Sequence, residues 1–287
     1  MSDIEQFEPS AAEVERRRFR AQKRSRSILV SLVSTLVFGL VAWFGLTSTP
    51  GWSRVNASFF DWNTAVEALP KVLDGLLLNL RVLVFAAIGV LIFGLVLALM
   101  RTLRNPVFFP LRVFARAYVD FFRGLPLIIV LYLVGFGIPG LRLPGVGRIS
   151  TELLGVTALV LTYSAYVAEV FRAGIESIHP SQRLAARSLG LSYSQSMRLV
   201  VLPQAIRRVA PPLMNDFVSL QKDVGLISIL GAVDAVRAAQ IQVALSANFT
   251  PYLVAGLLFV LLAIPSIRFA DRITEKFAKR EQVGNAL

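Results

Sequence analysis

Long apolar runs alternate with polar, basic segments along almost the whole chain. A helix that crosses a bilayer needs about 20 apolar residues, and the first run, residues 28–46, contains no charged side chain. Similar runs follow, although the third is short and the fifth is interrupted by charged residues. The pattern predicts an all-α, polytopic membrane protein of about six transmembrane helices, at residues 28–46, 76–100, 125–139, 153–171, 213–233 and 251–269.

The segments between these runs are predicted to lie at the two membrane surfaces. Residues 1–27 form a basic tail, which is either a plain topogenic tail or an interfacial amphipathic helix. Proline, glycine and tryptophan residues in 47–74 favour an outer segment, and residues 107–123 are expected to lie partly along the surface. Two outer loops and a second basic tail complete the chain, at residues 141–151, 234–250 and 273–287.

Composition supports the membrane interpretation. The chain is 55% hydrophobic and 17% charged, with a mean hydropathy of +0.64, which is unlike a soluble domain. The net charge of +12 is dispersed over the loops, so it indicates membrane topology and anionic lipid rather than nucleic acid. Most of the 30 Lys and Arg residues lie on one side of the predicted spans, and the positive-inside rule then places both termini in the cytoplasm. Without cysteine, no disulfide or thiolate metal site can form.

Residues 179–203 form a polar, basic stretch between two apolar runs. Pro180 suits a first helical turn, Gly190 tolerates the left-handed conformation that ends a helix, and Ser192 is a suitable N-cap for a second helix. The sequence therefore predicts two short helices joined at a glycine corner. Ala185 and Ala186 would leave one helix face bare, so that a partner could approach closely. The alternative is a solvated basic loop without a partner.

This stretch resembles the cytoplasmic docking loop of ABC importer membrane subunits. The pattern there is Glu-Ala-Ala, three residues, Gly, nine residues, a branched aliphatic residue, any residue, then Leu-Pro. The motifs YVDFFRGLPL from Tyr118, AYVAEVFRAGIESI from Ala165, LPQA from Leu202 and KDVGL from Lys222 resemble the polar amino acid uptake branch. Leu184 stands where the pattern has Glu, which removes a charge. The residues at the pattern's spacings are Leu184, Ala185, Ala186, Gly190, Val200, Leu202 and Pro203.

The resemblance covers about residues 75–272 and implies a type I ABC importer permease. Residues 75–272 would be a five-helix transmembrane domain, and residues 28–46 an added helix. The implied partners are two ABC ATPase subunits, a second identical or related permease subunit, an extracytoplasmic solute-binding protein and the lipid bilayer of the bacterial inner membrane. The implied cargo is a polar amino acid or related solute. The residues implied to dock the ATPase are Gln182, Leu184, Ala185, Ala186, Gly190, Leu202 and Pro203.

Polar residues in the predicted spans are candidates for a translocation path or gate. A charge at the bilayer centre costs about 2.5–3.5 kcal/mol on insertion scales, so such side chains should avoid lipid. We expect Lys222 and Asp223 to face the protein interior and to reach separate partners, because adjacent helical residues point about 100° apart. Both a structural or gating role and direct solute contact stay open. Asn215 and Asp216 belong to the same set.

Two further features concern chemistry. Glu169 and Arg172 are three residues apart, a spacing that allows pairing on one helix face. His179 is the single histidine, and no HExxH, GxSxG or GxxxxGK motif occurs. The chain is therefore expected to be a non-catalytic subunit without a cofactor, with ATP hydrolysis in a partner. The alternative classes are an ATP-independent secondary transporter and a non-transporting scaffold or receptor subunit.

Overall fold

The computed structural model describes residues 11–103, 105–144 and 149–285, with the side chains of residues 11, 18 and 278–285 outside the description. Within these ranges all regular structure is helical, as the sequence predicted. The chain divides into two units, Met1–Ala57 and Ser58–Leu287. Part of the predicted loop 141–151 lies outside the described residues.

The first unit is built around helix α1, Ala11–Thr47. The predicted span 28–46 lies inside this helix, and the basic residues before it continue the same helix. Helix α2, Trp52–Phe59, follows after a short turn and crosses the division between the units.

The second unit contains the remaining helices. Four helices of the described chain are long and apolar enough to cross a membrane, and the number rises to six when each of two bent pairs counts as one span. This agrees with the six predicted spans. The elements are α3 (Trp62–Thr102), α4 (Phe109–Gly124), α5 (Leu127–Tyr132), α6 (Ile138–Gly140), α7 (Thr151–Glu176), α8 (Pro180–Ser188), α9 (Tyr193–Ser196), α10 (Leu202–Asp223), α11 (Ala235–Ser246) and α12 (Thr250–Asn285).

Helices α3 and α7 form the centre of the bundle. Gly89 and Gly94 of α3 face Val160 and Val167 of α7, and a Cβ at either glycine would lie 2.7 Å from the valine side chain. Small residues of this kind let membrane helices approach closely, because dispersion contacts dominate helix association in lipid. The main apolar core is continuous with this contact and includes Leu131, Leu159 and Ile227.

Two predicted outer segments are largely helical, so the expectation of a loop at residues 234–250 was wrong. Residues 62–74 belong to α3, and α11 occupies most of 234–250. Ala68 and Val72 of α3 pack against Ala235 and Ala239 of α11, and all four side chains are buried. Asp234 caps α11 by accepting a hydrogen bond from the Arg237 amide. This Asp before an alanine-rich run was the helix-start signal in the sequence.

The fifth predicted span also differs from the prediction. The span was predicted to begin at residue 213, but α10 begins at Leu202 and contains Pro211 and Pro212 in its interior. Proline is tolerated within membrane helices when neighbouring groups satisfy the freed backbone. Helix α10 ends at Asp223 and continues as a 3₁₀ stretch, Val224–Leu230, which stops at Gly231 in the left-handed conformation (φ +89°). The bend to α11 is 51°.

The third span is one half of a sharply bent pair. The axes of Pro106–Gly124 and Leu127–Gly140 differ by 106°, and the second half contains a π-helical stretch, Leu133–Gly137. Pro126 lies at the bend. The short third run is thus preceded by a helix that runs in a different direction.

The close contact between α3 and α11 gives a stability prediction. A Cβ at Gly75 would lie 2.4 Å from the carbonyl carbon of Asp234. This carbon is a backbone atom, which cannot move aside as a flexible side chain can. Gly75→Ala should therefore lower stability by about 1–3 kcal/mol through overpacking, measured as thermal unfolding in detergent. Gly256→Ala in α12 is the control, because nothing lies within 4 Å of its Cβ position. Equal unfolding temperatures for the two variants would contradict the packing described here.

Candidate functional site

The docking segment, residues 179–203, contains the two helices and the glycine corner that the sequence predicts. Helix α8 begins with Pro180, and Gly190 adopts a φ of +83°. Ser192 and Gln195 form a capping box, in which the Ser192 side chain accepts from the Gln195 amide at 3.3 Å and the Gln195 side chain accepts from the Ser192 amide at 2.9 Å. Such reciprocal caps satisfy the free amides at a helix start.

The second helix does not stop at Pro203. Helix α9 leads through a π-helical stretch, Met197–Val201, directly into α10. The docking segment therefore continues into a membrane span without an intervening loop. The sequence prediction began the fifth span at residue 213 and missed this continuity.

Two arginines attach the docking segment and the adjoining part of α10 to the end of α7. Arg183 of α8 donates to the Ile175 carbonyl at 3.0 Å, and Arg208 of α10 donates to the Ser177 carbonyl at 2.6 Å. Ile175 lies in the last turn of α7 and Ser177 is its C-cap, where backbone carbonyls have no partner within the helix. Ile178 adds an apolar contact with Val201. These attachments join three elements and were not predicted.

The docking residues do not all face outward. Ala186 is buried, so the prediction that it offers a bare surface to a partner was wrong. The adjacent Ala185 is exposed, and Leu184 exposes 65% of its surface. The other predicted docking residues are all exposed: Gln182, Gly190, Leu202 and Pro203.

Glu169 is the centre of a charged cluster at the same end of the bundle. It contacts Arg172, as the spacing predicts, through a hydrogen bond of 3.1 Å from the arginine Nε. Arg101 of α3 donates to the same carboxylate at 2.7 Å, which local spacing could not reveal. Arg172 also pairs with Glu176. The cluster links α3 and α7 close to the docking segment.

The polar side chains of α10 point in different directions. Asp223 accepts a hydrogen bond from the Tyr163 hydroxyl at 2.7 Å, whereas Lys222 is exposed. The two side chains therefore point apart, as expected, but Lys222 does not face the interior of this chain. Asn215 is exposed as well. Asp216 is half-buried, and its Oδ2 has no hydrogen-bond partner among the described residues.

Asp216 lies between two cavities of the second unit. The larger, about 610 Å³, is almost entirely apolar and includes Tyr163 and Phe217 in its lining. The smaller, about 360 Å³, is lined by Arg123, Tyr166 and Glu169 among others. The Asp216 carboxylate gives the largely apolar lining of the larger cavity an acidic group at the border with the smaller cavity.

Asn79 is a site residue that sequence reasoning did not select. It is completely buried, donates to the Val224 carbonyl at 3.2 Å and to Asp234 Oδ2 at 3.0 Å, and accepts from the Ala235 amide at 3.0 Å. It thus contacts both sides of the break between α10 and α11. An amide inside an apolar span was the available signal. Arg81, to which the sequence gave no partner, lies 3.8 Å from Glu152.

The charged cluster generates a second prediction. Glu169→Gln removes a carboxylate that neutralises partly buried Arg101 and Arg172, so stability should fall by about 1–3 kcal/mol. Glu176→Gln is a matched control because Glu176 contacts the same Arg172 but is 60% exposed, where an ion pair contributes little. Thermal unfolding of both variants tests this difference. Equal losses would show that Arg101 does not depend on Glu169.

The fold and the site together define a class of protein. A bundle of membrane-spanning helices presents a polar docking segment that is continuous with one span. No group of three or more His, Asp or Glu side chains in the described chain could hold a metal ion. The helical bundle and its polar end segment define a polytopic helical membrane protein.

Comparison with known proteins specifies the family. Residues 91–279 match the family model described as binding-protein-dependent transport system inner membrane component, and the chain belongs to this family. The arginine transport system permease protein ArtQ of Bacillus subtilis is 35% identical over 220 residues, which cover 76% of this chain and 97% of ArtQ. The glutamate/aspartate import permease protein GltK of Escherichia coli O157:H7 is 34% identical, over 68% of this chain and 92% of GltK.

Solved structures agree with this assignment. A crystal structure of an amino acid ABC transporter with histidines matches with a TM-score of 0.69 and 30% identity, covering 75% of this chain and 98% of that one. An inward-facing MetNI methionine ABC transporter matches with a TM-score of 0.53 at 23% identity, which supports the fold alone. The region of resemblance inferred from the motifs, 75–272, overlaps the family match closely.

Proposed function

We propose that this protein is the permease subunit of an ABC importer for a polar amino acid or a closely related solute. The observation that carries the proposal is the docking segment, which is attached to the end of α7 by Arg183 and continues into α10, where Arg208 makes a second attachment. The related proteins named for arginine and for glutamate/aspartate transport support an amino acid cargo. They differ in the charge of that cargo, so the class, and no single amino acid, is proposed.

The proposed assembly contains two of these membrane subunits, or one and a related subunit, with two ATPase subunits and an extracytoplasmic solute-binding protein. The membrane is the bacterial inner membrane, with both termini and the docking segment in the cytoplasm. The distribution of Lys and Arg supports this orientation. ATP hydrolysis takes place in the partner, and this subunit supplies the path. Helix α1 precedes the family match, so it is proposed as an addition to the transport domain of residues 75–272.

The proposed coupling follows from the attachments of the docking segment. Closure of the ATPase dimer displaces α8, and α8 transmits that displacement through Arg183 to the end of α7. Helix α10 receives it directly, because no flexible linker separates α9 from α10. Asp216 and Asp223 lie along α10, so a shift of this helix changes the two cavities that Asp216 lines.

Gly190 provides the direct test of coupling. Its φ of +83° is unfavourable for a β-branched residue, so Gly190→Val should distort the corner between α8 and α9. We expect the variant to reach the membrane but to lose most solute uptake, with ATP hydrolysis no longer stimulated by the solute-binding protein. The measurement is uptake and ATPase activity in proteoliposomes with the ATPase and binding protein.

Gly190→Asn is the matched control for this experiment, because asparagine adopts the left-handed conformation more readily than other residues. It should retain most activity. Uptake by the Val variant at the wild-type rate would show that coupling does not depend on the docking segment. Uptake without any ATPase subunit would instead favour the secondary-transporter class, and binding of another protein without uptake would favour a scaffold.

We further propose that Asp216, Asp223, Lys222 and Asn215 belong to the translocation path or its gate. Asp216 is the strongest of these candidates, because its Oδ2 lacks a partner in the described structure and its side chain borders both cavities. Lys222 and Asn215 are exposed on the single chain, and in the assembly they are proposed to face the second permease subunit. Asp223 is held by Tyr163, which suits a gating role.

Asp216→Asn distinguishes solute contact from gating. If the carboxylate contacts the solute, the variant should raise the KM of uptake by about tenfold, which corresponds to about 1.4 kcal/mol. If it acts in the gate, basal and stimulated ATPase rates should change at constant KM. Asp271→Asn is the control, since Asp271 is exposed on α12 and lines neither cavity. Unchanged uptake and ATPase kinetics would exclude Asp216 from the path.

A further inference from the structure

The larger cavity, of about 610 Å³, follows the point where α3 and α12 stop packing against each other. The apolar cluster that these two helices share ends at Leu76 on α3 and at Leu262 on α12. Pro265 comes next on the cavity side of α12, and a proline inside a helix removes one backbone hydrogen bond and bends the helix. We call this space the α3–α12 cavity; these two helices contribute Ala87, Val90, Leu91, Pro265, Phe269 and Ile273 to its lining.

The lining offers little to a polar molecule. It contains two hydroxyl groups, and both are engaged: Tyr163 donates to Asp223 at 2.7 Å, and Ser266 donates to the Leu262 carbonyl at 3.5 Å. The Asp216 carboxylate lies at the border with the smaller cavity, away from α12. An apolar space that no side chain fills forfeits dispersion contacts. The α3–α12 cavity therefore favours an apolar occupant.

The rim of the cavity faces the bilayer. Leu91 on α3 and Phe269 on α12 both line the cavity and expose 46% and 56% of their surfaces. Both helices are long and apolar enough to cross a membrane, and apolar side chains exposed on such helices contact lipid. A lipid acyl chain can therefore reach the cavity from the side.

The second permease subunit is a weaker choice of occupant. Its proposed contacts on α10 are Asn215 and Lys222, which are exposed on the single chain. Leu213 and Phe217 line the cavity, and they lie about 140–180° around α10 from those two residues. The two faces of α10 thus point in nearly opposite directions.

The face of α12 that borders the cavity continues into positive charge. Residues at spacings of three and four share one helix face, and on this face they are Pro265, Phe269, Arg272 and Lys276. Arg272 and Lys276 are exposed. The adjacent Asp271 and Glu275 each point about 100° away from the basic residue that follows. Basic side chains beside a span attract the headgroups of anionic lipids.

The dimensions agree with one lipid of one leaflet. Lys276 lies about 16 Å from Pro265 along the helix axis, and half of the hydrocarbon core measures about 15 Å. We propose that an anionic phospholipid places one acyl chain in the α3–α12 cavity and its phosphate against Arg272 and Lys276. The chain fills the space that separates α12 from α3, and it holds α12 in place beside α10.

The test measures lipid binding to the full-length permease in detergent. Thermal unfolding is followed while phosphatidylglycerol or phosphatidylcholine with the same acyl chains is added, since a ligand of the folded state raises the unfolding temperature. Phosphatidylglycerol should bind the wild-type chain about tenfold more tightly. Arg272→Gln combined with Lys276→Gln should reduce this preference to about twofold or less. Arg198→Gln combined with Arg207→Gln is the matched charge control, because both arginines are exposed outside the cavity.

A second pair of variants tests the acyl chain. Ala87→Phe fills the cavity from α3, so neither lipid should raise the unfolding temperature, while the lipid-free protein should be at least as stable as the wild type. Ala210→Leu fills the cavity from α10 and takes its place where the Phe variant does not fold. Gly256→Phe is the control, because it lies on α12 outside the cavity with nothing within 4 Å of its Cβ position.

Three results would overturn the lipid proposal. These are equal affinity of the wild type for the two lipids, a tenfold preference that survives in the Arg272 and Lys276 double variant, and unchanged lipid binding in a folded cavity-filling variant. The chain lacks cysteine, so Phe269→Cys supplies a single thiol. A disulfide between two permease subunits at this position would assign the cavity to a second copy instead. Uptake is measured separately, so failure of the lipid site leaves the transport assignment intact.

Discussion

The membrane fold depends on the hydrogen bonds of the buried Asn79 side chain, which stabilise the break between α10 and α11. Helix α10 loses its regular hydrogen bonding beyond Asp223, and a break inside a bilayer leaves backbone groups that lipid cannot satisfy, each at a cost of several kcal/mol. Asn79 satisfies the Val224 carbonyl and the Ala235 amide together. Gly75, one turn earlier in α3, allows the backbone of Asp234 to approach. Without this support, the bend between α10 and α11 would expose polar backbone to hydrocarbon.

At the opposite end of the bundle, charged side chains satisfy backbone carbonyls and join helices. The last carbonyls of α7 accept from Arg183 and Arg208, and Glu169 joins α3 to α7 through Arg101. At both ends, a helix terminus or break is satisfied by a residue from a different element. The bundle is therefore connected by specific polar contacts at its ends and by glycine and apolar packing at its centre.

Local signals predicted much of this architecture. Span positions followed from apolar length, and the corner of the docking segment followed from Gly190 and Ser192, since a left-handed glycine and an N-cap depend on a few neighbouring residues. Alanine burial could not be read in the same way. Ala186 is buried because α8 packs against α9 and the π-helical stretch Met197–Val201, and this contact depends on the tertiary fold. Helix α11 was taken for a loop because it is too short and polar for a span. The contacts of Asn79 join residues about 150 positions apart, which no local pattern reveals.

The continuity of the docking segment with α10 makes this stretch a lever. Residues from Tyr193 to Val224 form one nearly uninterrupted helical rod, and at 1.5 Å per residue it is about 45 Å long. Asn79 holds the Val224 end of that rod, so the Tyr193 end moves furthest. A tilt of about 10° about this fulcrum would displace Tyr193 by about 8 Å, while the break at Val224 hardly moves. A large displacement at Tyr193 thus becomes a small, well-defined adjustment at the break near Val224.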